Sequence, residues 1–192
     1  TGKQIKPTVN LYVDGQLVPA YHYKITYSSN INTGVAKVKL TATEVKYVSV
    51  CSTTFLILPK KETLKGSVSS YNSAHLSWNK QGSATGYTIM YSTDKTFNTA
   101  FKYKYITKPE TTNTTIKNLK YNTKYYFKIR AYKTNVGYGK WSKTVKIKTK
   151  KNPAPATVKI KSAKKYSKTS IYVKWKAQTA RGKSGYYVQY ST

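Results

Sequence analysis

The chain has 192 residues, of which 35 are Lys or Arg and five are Asp or Glu, a formal net charge of +30. Twenty tyrosines bring aromatic residues to 14%. Disordered basic tails are poor in aromatics and β-branched residues, because they bury too little to offset chain entropy, so that class is excluded. No apolar run approaches the roughly 18 residues that a membrane-spanning helix needs. The single cysteine, Cys51, forms no internal disulfide framework and no Cys-based zinc site. His22 and His75 lie far apart, and the five acids are Asp14, Glu44, Glu62, Asp94 and Glu110. That stock of acids, bases and metal ligands is thin, and it predicts neither a catalytic centre nor a cofactor.

Along the chain the hydrophobic period is two. The runs Val35–Thr41, Tyr125–Ala131 and Val145–Thr149 alternate apolar and polar residues, the pattern of strands with one face in a core and the other in water. Thr, Val, Ile and Tyr favour such strands. Turn signals punctuate them at Asp14-Gly15, Ser29-Asn30, Asn32-Thr33-Gly34, Gly82, Gly86, Gly137 and Gly139. Many short strands at regular spacing predict an all-β chain of β-sandwiches.

Two Pro- and Lys-bearing stretches, Leu58–Glu62 and Lys150–Pro155, read as extended, solvated connectors. They divide the chain into blocks 1–60, 61–150 and 151–192. An internal repeat supports the second division. Leu76-Ser-Trp78 recurs as Val173-Lys-Trp175, and Gly86-Tyr-Thr-Ile-Met-Tyr-Ser-Thr93 recurs as Gly185-Tyr-Tyr-Val-Gln-Tyr-Ser-Thr192. The two Trp stand 97 residues apart, a period of tandem domains and not of a solenoid.

At Trp78, at Gly86–Tyr91 and at Leu119–Ala131, block 61–150 resembles the fibronectin type III domain. The resemblance implies a core Trp78, and strand alternation turns Tyr87, Ile89, Tyr91, Tyr125, Phe127, Ile129 and Ala131 inward with it. The resemblance also implies a tyrosine corner at Tyr125, whose hydroxyl ties back to upstream backbone. Tyr121 stands where the family has Pro. Block 151–192 resembles the first three strands of a second such domain. Block 1–60 resembles a bacterial Ig-like repeat of surface proteins, at Tyr23–Asn30, Thr33–Val38, Tyr47 and Phe55–Ile57. Thr1–Pro7 is then read as that repeat's first strand.

Strand alternation leaves Thr88, Met90, Tyr126, Lys128, Arg130, Tyr132, Lys146 and Lys148 on the outer face of one sheet, with Lys102–Tyr105 extending it. An interleaved Tyr/Lys face holds an anionic polymer or stacks on sugars or bases. The bland alternative is a solvated face, with Tyr chosen for β-propensity and Lys for edge protection. In block 151–192 the inward set Val158, Ile160, Ile171, Val173, Trp175, Tyr186, Val188 and Tyr190 would lie on an open half-sandwich. The expectation there is an assembly surface for another protein chain, centred on Trp175, Tyr186, Val188 and Tyr190.

The resemblances imply a non-catalytic stalk, spacer or adhesive segment, secreted or attached to the wall of a Gram-positive bacterium. Its lysines would attract anionic wall polymers or glycans without specificity. Rival readings are a dedicated binder of a host protein or glycan, an accessory region of a secreted hydrolase, and a nucleic-acid protein. The charge suits the last, but the lysines are spread over every strand and no nucleic-acid motif occurs, so neither a specific nucleic acid nor membrane insertion is expected.

Overall fold

The computed structural model describes residues 2–44, 50–152, 157–177, 185–189 and 191. These described residues are all-β apart from one 3-10 turn at Ala20–His22. Contacts divide the chain into two compact units, Thr1–Lys151 and Asn152–Thr192. The division falls inside the Lys150–Pro155 stretch, whose residues 153–155 lie outside the described part.

The first unit begins with a hairpin of β1 (Leu11–Val13) and β2 (Gln16–Val18). Asp14 and Gly15 both take positive φ, 48° and 79°. That pair forms the two-residue turn whose twist matches that of the flanking strands, and it explains Asp-Gly at this point. A three-stranded antiparallel sheet follows, in the order β3 (Tyr23–Ser28), β4 (Gly34–Ala42), β5 (Val50–Ile57). Along β4 the alternation read from sequence holds: Ala36, Val38 and Leu40 are buried, Lys37 and Lys39 exposed. Val18, Tyr23, Val38 and Leu40 form a small core, flanked by Val9, Leu11, Ile25 and Tyr27. The N-terminal stretch differs from expectation, because residues 2–10 form no strand. Point bonds hold it instead. Ile5 N–H donates to the Asn30 carbonyl (2.8 Å), Asn30 Nδ2 to that of Ile5 (2.9 Å), and the Tyr27 hydroxyl to that of Pro7 (2.6 Å). Tyr47 lies outside the described residues.

Two facing sheets follow. One is ordered β10 (Asn113–Ile116), β7 (Ser73–Ser77), β6 (Lys65–Ser70). The other runs β12 (Gly137–Tyr138), β11 (Lys124–Lys133), β8 (Gly86–Ser92), β9 (Lys102–Ile106), with β13 (Val145–Lys148) also on β11. Between them lie Leu76, Trp78, Tyr87, Ile89, Ile116, Tyr125, Phe127, Ile129, Ala131 and Ile147, all buried. Tyr91 joins them only partly buried, stacked on Phe127 at 5.9 Å. Each large side chain removed from water here contributes about 1.5–3 kcal/mol. Lys120 N–H donates to the Tyr125 hydroxyl at 3.0 Å, the tie expected of a tyrosine corner.

One position gains its reason in this unit and one sequence reading changes. Gly86 is a strand residue: a Cβ there would stand 2.2 Å from the Ile106 carbonyl oxygen and 2.7 Å from the Tyr132 hydroxyl. The Leu58–Glu62 stretch is not a solvated connector. Pro59, Glu62 and Leu64 are buried, and Gln81 grips the segment. Its Nε2 donates to the Lys60 carbonyl (2.8 Å) and to the Glu62 carboxylate, and its Oε1 accepts from Lys60 N–H (3.1 Å). The amide of Gln81 meets both backbone groups of Lys60, so the segment lies down against the larger sandwich.

Among its described residues the second unit holds one antiparallel pair, β14 (Ile160–Lys165) with β15 (Ile171–Trp175). Residues 185–189, read from sequence as a third strand, form none. They do bring Tyr186 against Trp175, ring centroids 5.5 Å apart.

Candidate functional site

Register across the larger sheet of the first unit lays its outer face out in rows. Tyr103 stands opposite Met90, which stands opposite Lys128; Tyr105, Thr88 and Arg130 form the next row. Tyr126 pairs with Ser92 and Lys146, Lys124 with Lys148, and Tyr132 with Gly86 and Tyr138. The six residues read from sequence as a ligand face therefore do share one face.

That face is not simply solvated. Thr88 and Met90, expected to point to water, are only 2% and 7% exposed. The cover comes from elsewhere in the chain. Between β8 and β9 the Asp94 carboxylate accepts hydrogen bonds from the backbone N–H groups of Thr96, Asn98 and Thr99 and from the Thr96 hydroxyl. These bonds, led by the Thr96 hydroxyl, hold the Asp94 carboxyl down at about 2. The loop they organise buries Phe97 at a positive φ of 61°. Lys128 Nζ lies 4.1 Å from the Phe97 ring centre and 5.1 Å from that of Trp141. Arg130 lies 4.4 Å from Trp141 and 3.9 Å from Tyr138, and Tyr132 packs on Tyr138 at 5.8 Å. The result is an interleaved ladder of Phe97, Lys128, Trp141, Arg130 and Tyr138. Each such cation–ring contact contributes about 0.5–1 kcal/mol at an exposed site and about 2 when desolvated. Burial, and then the neighbouring Arg130 charge, push the Lys128 ammonium pKa down. Thr88 Oγ1 and Arg130 Nε are buried without a hydrogen-bond partner, so this packing is held against a polar cost.

Of the six residues, Lys128 and Arg130 are thus committed to the ladder, Tyr126 and Tyr132 are half-buried, and Lys146 and Lys148 are exposed. Sequence reasoning missed Phe97 and Trp141. The legible signal for Phe97 was Asp94 followed by Thr96, Asn98 and Thr99, a loop-capping pattern around a lone aromatic. Trp141 carried none beyond its chemistry. At the open end of the same sheet, Phe101, Tyr103 and Tyr105 are 44%, 42% and 62% exposed.

The proposed assembly residues Trp175, Tyr186 and Val188 line one cavity of about 360 Å3 with Val158, Ile160 and Val173. Trp175 is half-buried, while Ile160 and Val188 are 64% and 56% exposed. Tyr190 lies outside the described residues.

The acids are taken up locally. Glu44 accepts from His22 Nδ1 (3.0 Å), Glu110 pairs with Lys80, Asp94 caps its loop, and Asp14 sits in the hairpin turn. Glu62 is buried beside Gln81, and burial raises its carboxyl pKa. It borders a polar cleft of about 460 Å3 with Lys60, Lys61 and Lys80. Among the described residues no three His, Cys, Asp or Glu come together. The arrangement offers positive charge and aromatic surface, the means of binding.

No curated protein sequence matches the chain. Several solved structures are similar to part of the chain. Domains FN1–FN3 of chicken CNTN1 match at 24% identity over 62% of this chain, with a TM-score of 0.45, and the chain spans 44% of that structure. The FN5 domain of Drosophila Lar matches at 22% identity over 48% of this chain and 98% of its own length, TM-score 0.41. The sixth fibronectin type III domain of human fibronectin type III domain containing protein 3 matches at 21% over 54% and 96%, TM-score 0.44. The sequence pattern of the fibronectin type III domain matches residues 59–148, the stretch that carries the facing sheets, the tyrosine corner and the ladder.

Proposed function

We propose that the chain is a non-catalytic spacer and adhesive segment on the outside of a Gram-positive cell, built of three modules at 1–60, 61–150 and 151–192. Its basic surface gathers anionic wall polymers or glycans. The carrying observation is charge. With 35 basic residues and five acids, the side-chain carboxylates neutralise only five positive charges and leave a formal net charge of +30. The acids, moreover, are spent on turns, loops and local pairs. The remaining positive charge is spread over both units and draws polyanions without a dedicated pocket.

The test is binding to heparin, teichoic acid and DNA across a salt series. Affinities that are similar at low salt and fall steeply toward physiological salt support this reading, because screening shortens the reach of the charges to about 8 Å. Affinity for one polymer that survives high salt overturns it in favour of a specific site. The second unit supports a separate reading, a protein partner at Trp175, Tyr186 and Val188, resting on the apolar cavity there. Sedimentation of the chain with and without Trp175→Ser checks it; an unchanged monomer in both removes self-assembly.

A further inference from the structure

We infer that β9 is a docking edge for an extended acidic peptide strand, bound by sheet extension. The inference goes beyond the polyanion reading and does not depend on it. β9 is the last strand of its sheet, paired only with β8 among the described residues. An edge strand carries a row of backbone N–H and C=O groups that a further strand can satisfy.

The side chains of β9 specify what that strand must be. Tyr103 and Tyr105, with Phe101 just before the strand, form a continuous exposed aromatic column, with ring centres 5.6 Å apart for Phe101–Tyr103 and 6.0 Å for Tyr103–Tyr105. The alternate positions, Lys102 and Lys104, face the other way, opposite Tyr91 and Ile89. A strand laid beside β9 puts every second residue against the aromatic column and the others against the two lysines. Apolar residues suit the first set and carboxylates the second. The complement of β9 is therefore an extended segment that alternates apolar and acidic residues.

A second copy of the chain, paired so as to continue the aromatic column, is the poorer match. Antiparallel pairing of two β9 strands about Tyr103 sets Lys102 against Lys104, and like charges directly opposite destabilise the pair. A polysaccharide or nucleic acid has charge to offer but no backbone to complete the ladder of hydrogen bonds. The Tyr103 and Tyr105 rings, inclined by 28° and already stacked on one another, also leave no gap for a base to enter.

The test uses the full chain with two synthetic peptides of the same composition, one alternating Val and Glu, the other a Val block followed by a Glu block. Amide hydrogen exchange reads which backbone groups become protected. The alternating peptide should bind about tenfold tighter than its isomer and slow exchange of the β9 amides that face away from β8. The double variant Lys102→Glu, Lys104→Glu should lose about tenfold for that peptide and come to prefer a Val–Lys alternation. Equal binding of the two isomers is what charge attraction alone produces, and it overturns the proposal, as does protection away from β9. Protection of the same amides by heparin or single-stranded DNA makes the occupant a polyanion and also defeats it. The isomer comparison needs no variant, so a misfolded mutant leaves the test intact.

Discussion

Replacing Trp141 by Ala separates a packed ladder from a solvated strand face. The indole lies against two cations, Lys128 at 5.1 Å and Arg130 at 4.4 Å, and Trp141 is itself half-buried. Two partly desolvated cation–ring contacts contribute about 1–3 kcal/mol together. Lost burial of part of the indole raises the cost of Trp141→Ala to about 2–4 kcal/mol. A residue on a merely solvated face costs within about 0.5 kcal/mol. Two compact units make a single global transition ill-defined, so the readout is native-state hydrogen exchange at Phe127, Ile129 and Ile89. A cycle with Arg130→Met then isolates the pair, with a coupling of about 1 kcal/mol expected. A cost inside the surface range, together with no coupling, refutes the ladder as a structural element and returns these residues to open solvent.

Gly86→Ala should destabilise the same sheet by about 1–3 kcal/mol, read by the same exchange protection, because its Cβ meets the Ile106 carbonyl at 2.2 Å and backbone does not give way. Glu62→Gln should stabilise the first unit at neutral pH. The buried Glu62 carboxyl has a raised folded pKa, so its burden is present above that value and fades as pH falls through it toward the unfolded value; exchange protection of the first unit, compared between the two proteins across a pH series, should converge in acid. Asp94→Asn has the opposite sign. The folded Asp94 pKa is depressed to about 2, so its contribution is full above the unfolded value and lost as pH falls through about 2. The variant should loosen the Phe97 loop at neutral pH, seen as faster exchange at Asn98 and Thr99, and match the parent in strong acid.

The inward set of the larger sandwich was legible because it depends only on local periodicity. A strand turns its side chains over at every residue, so Tyr87, Ile89, Phe127, Ile129 and Ala131 declare one face wherever their strands come to lie. The Asp14-Gly15 turn was legible for the same local reason, since few residue pairs accept two successive positive φ angles. The outer face was not. Alternation says that Thr88, Met90, Lys128 and Arg130 point away from the core, but not what meets them there. That was decided by Phe97, in a loop closed by Asp94, and by Trp141, beyond the end of β12. His22 with Glu44, and Gln81 with Lys60 and Glu62, are likewise pairs made at a distance along the chain. Periodicity is a property of one strand and is written in its residues. Cover, register and pairing join segments whose separation in sequence carries no signal, and only the folded chain brings them into contact.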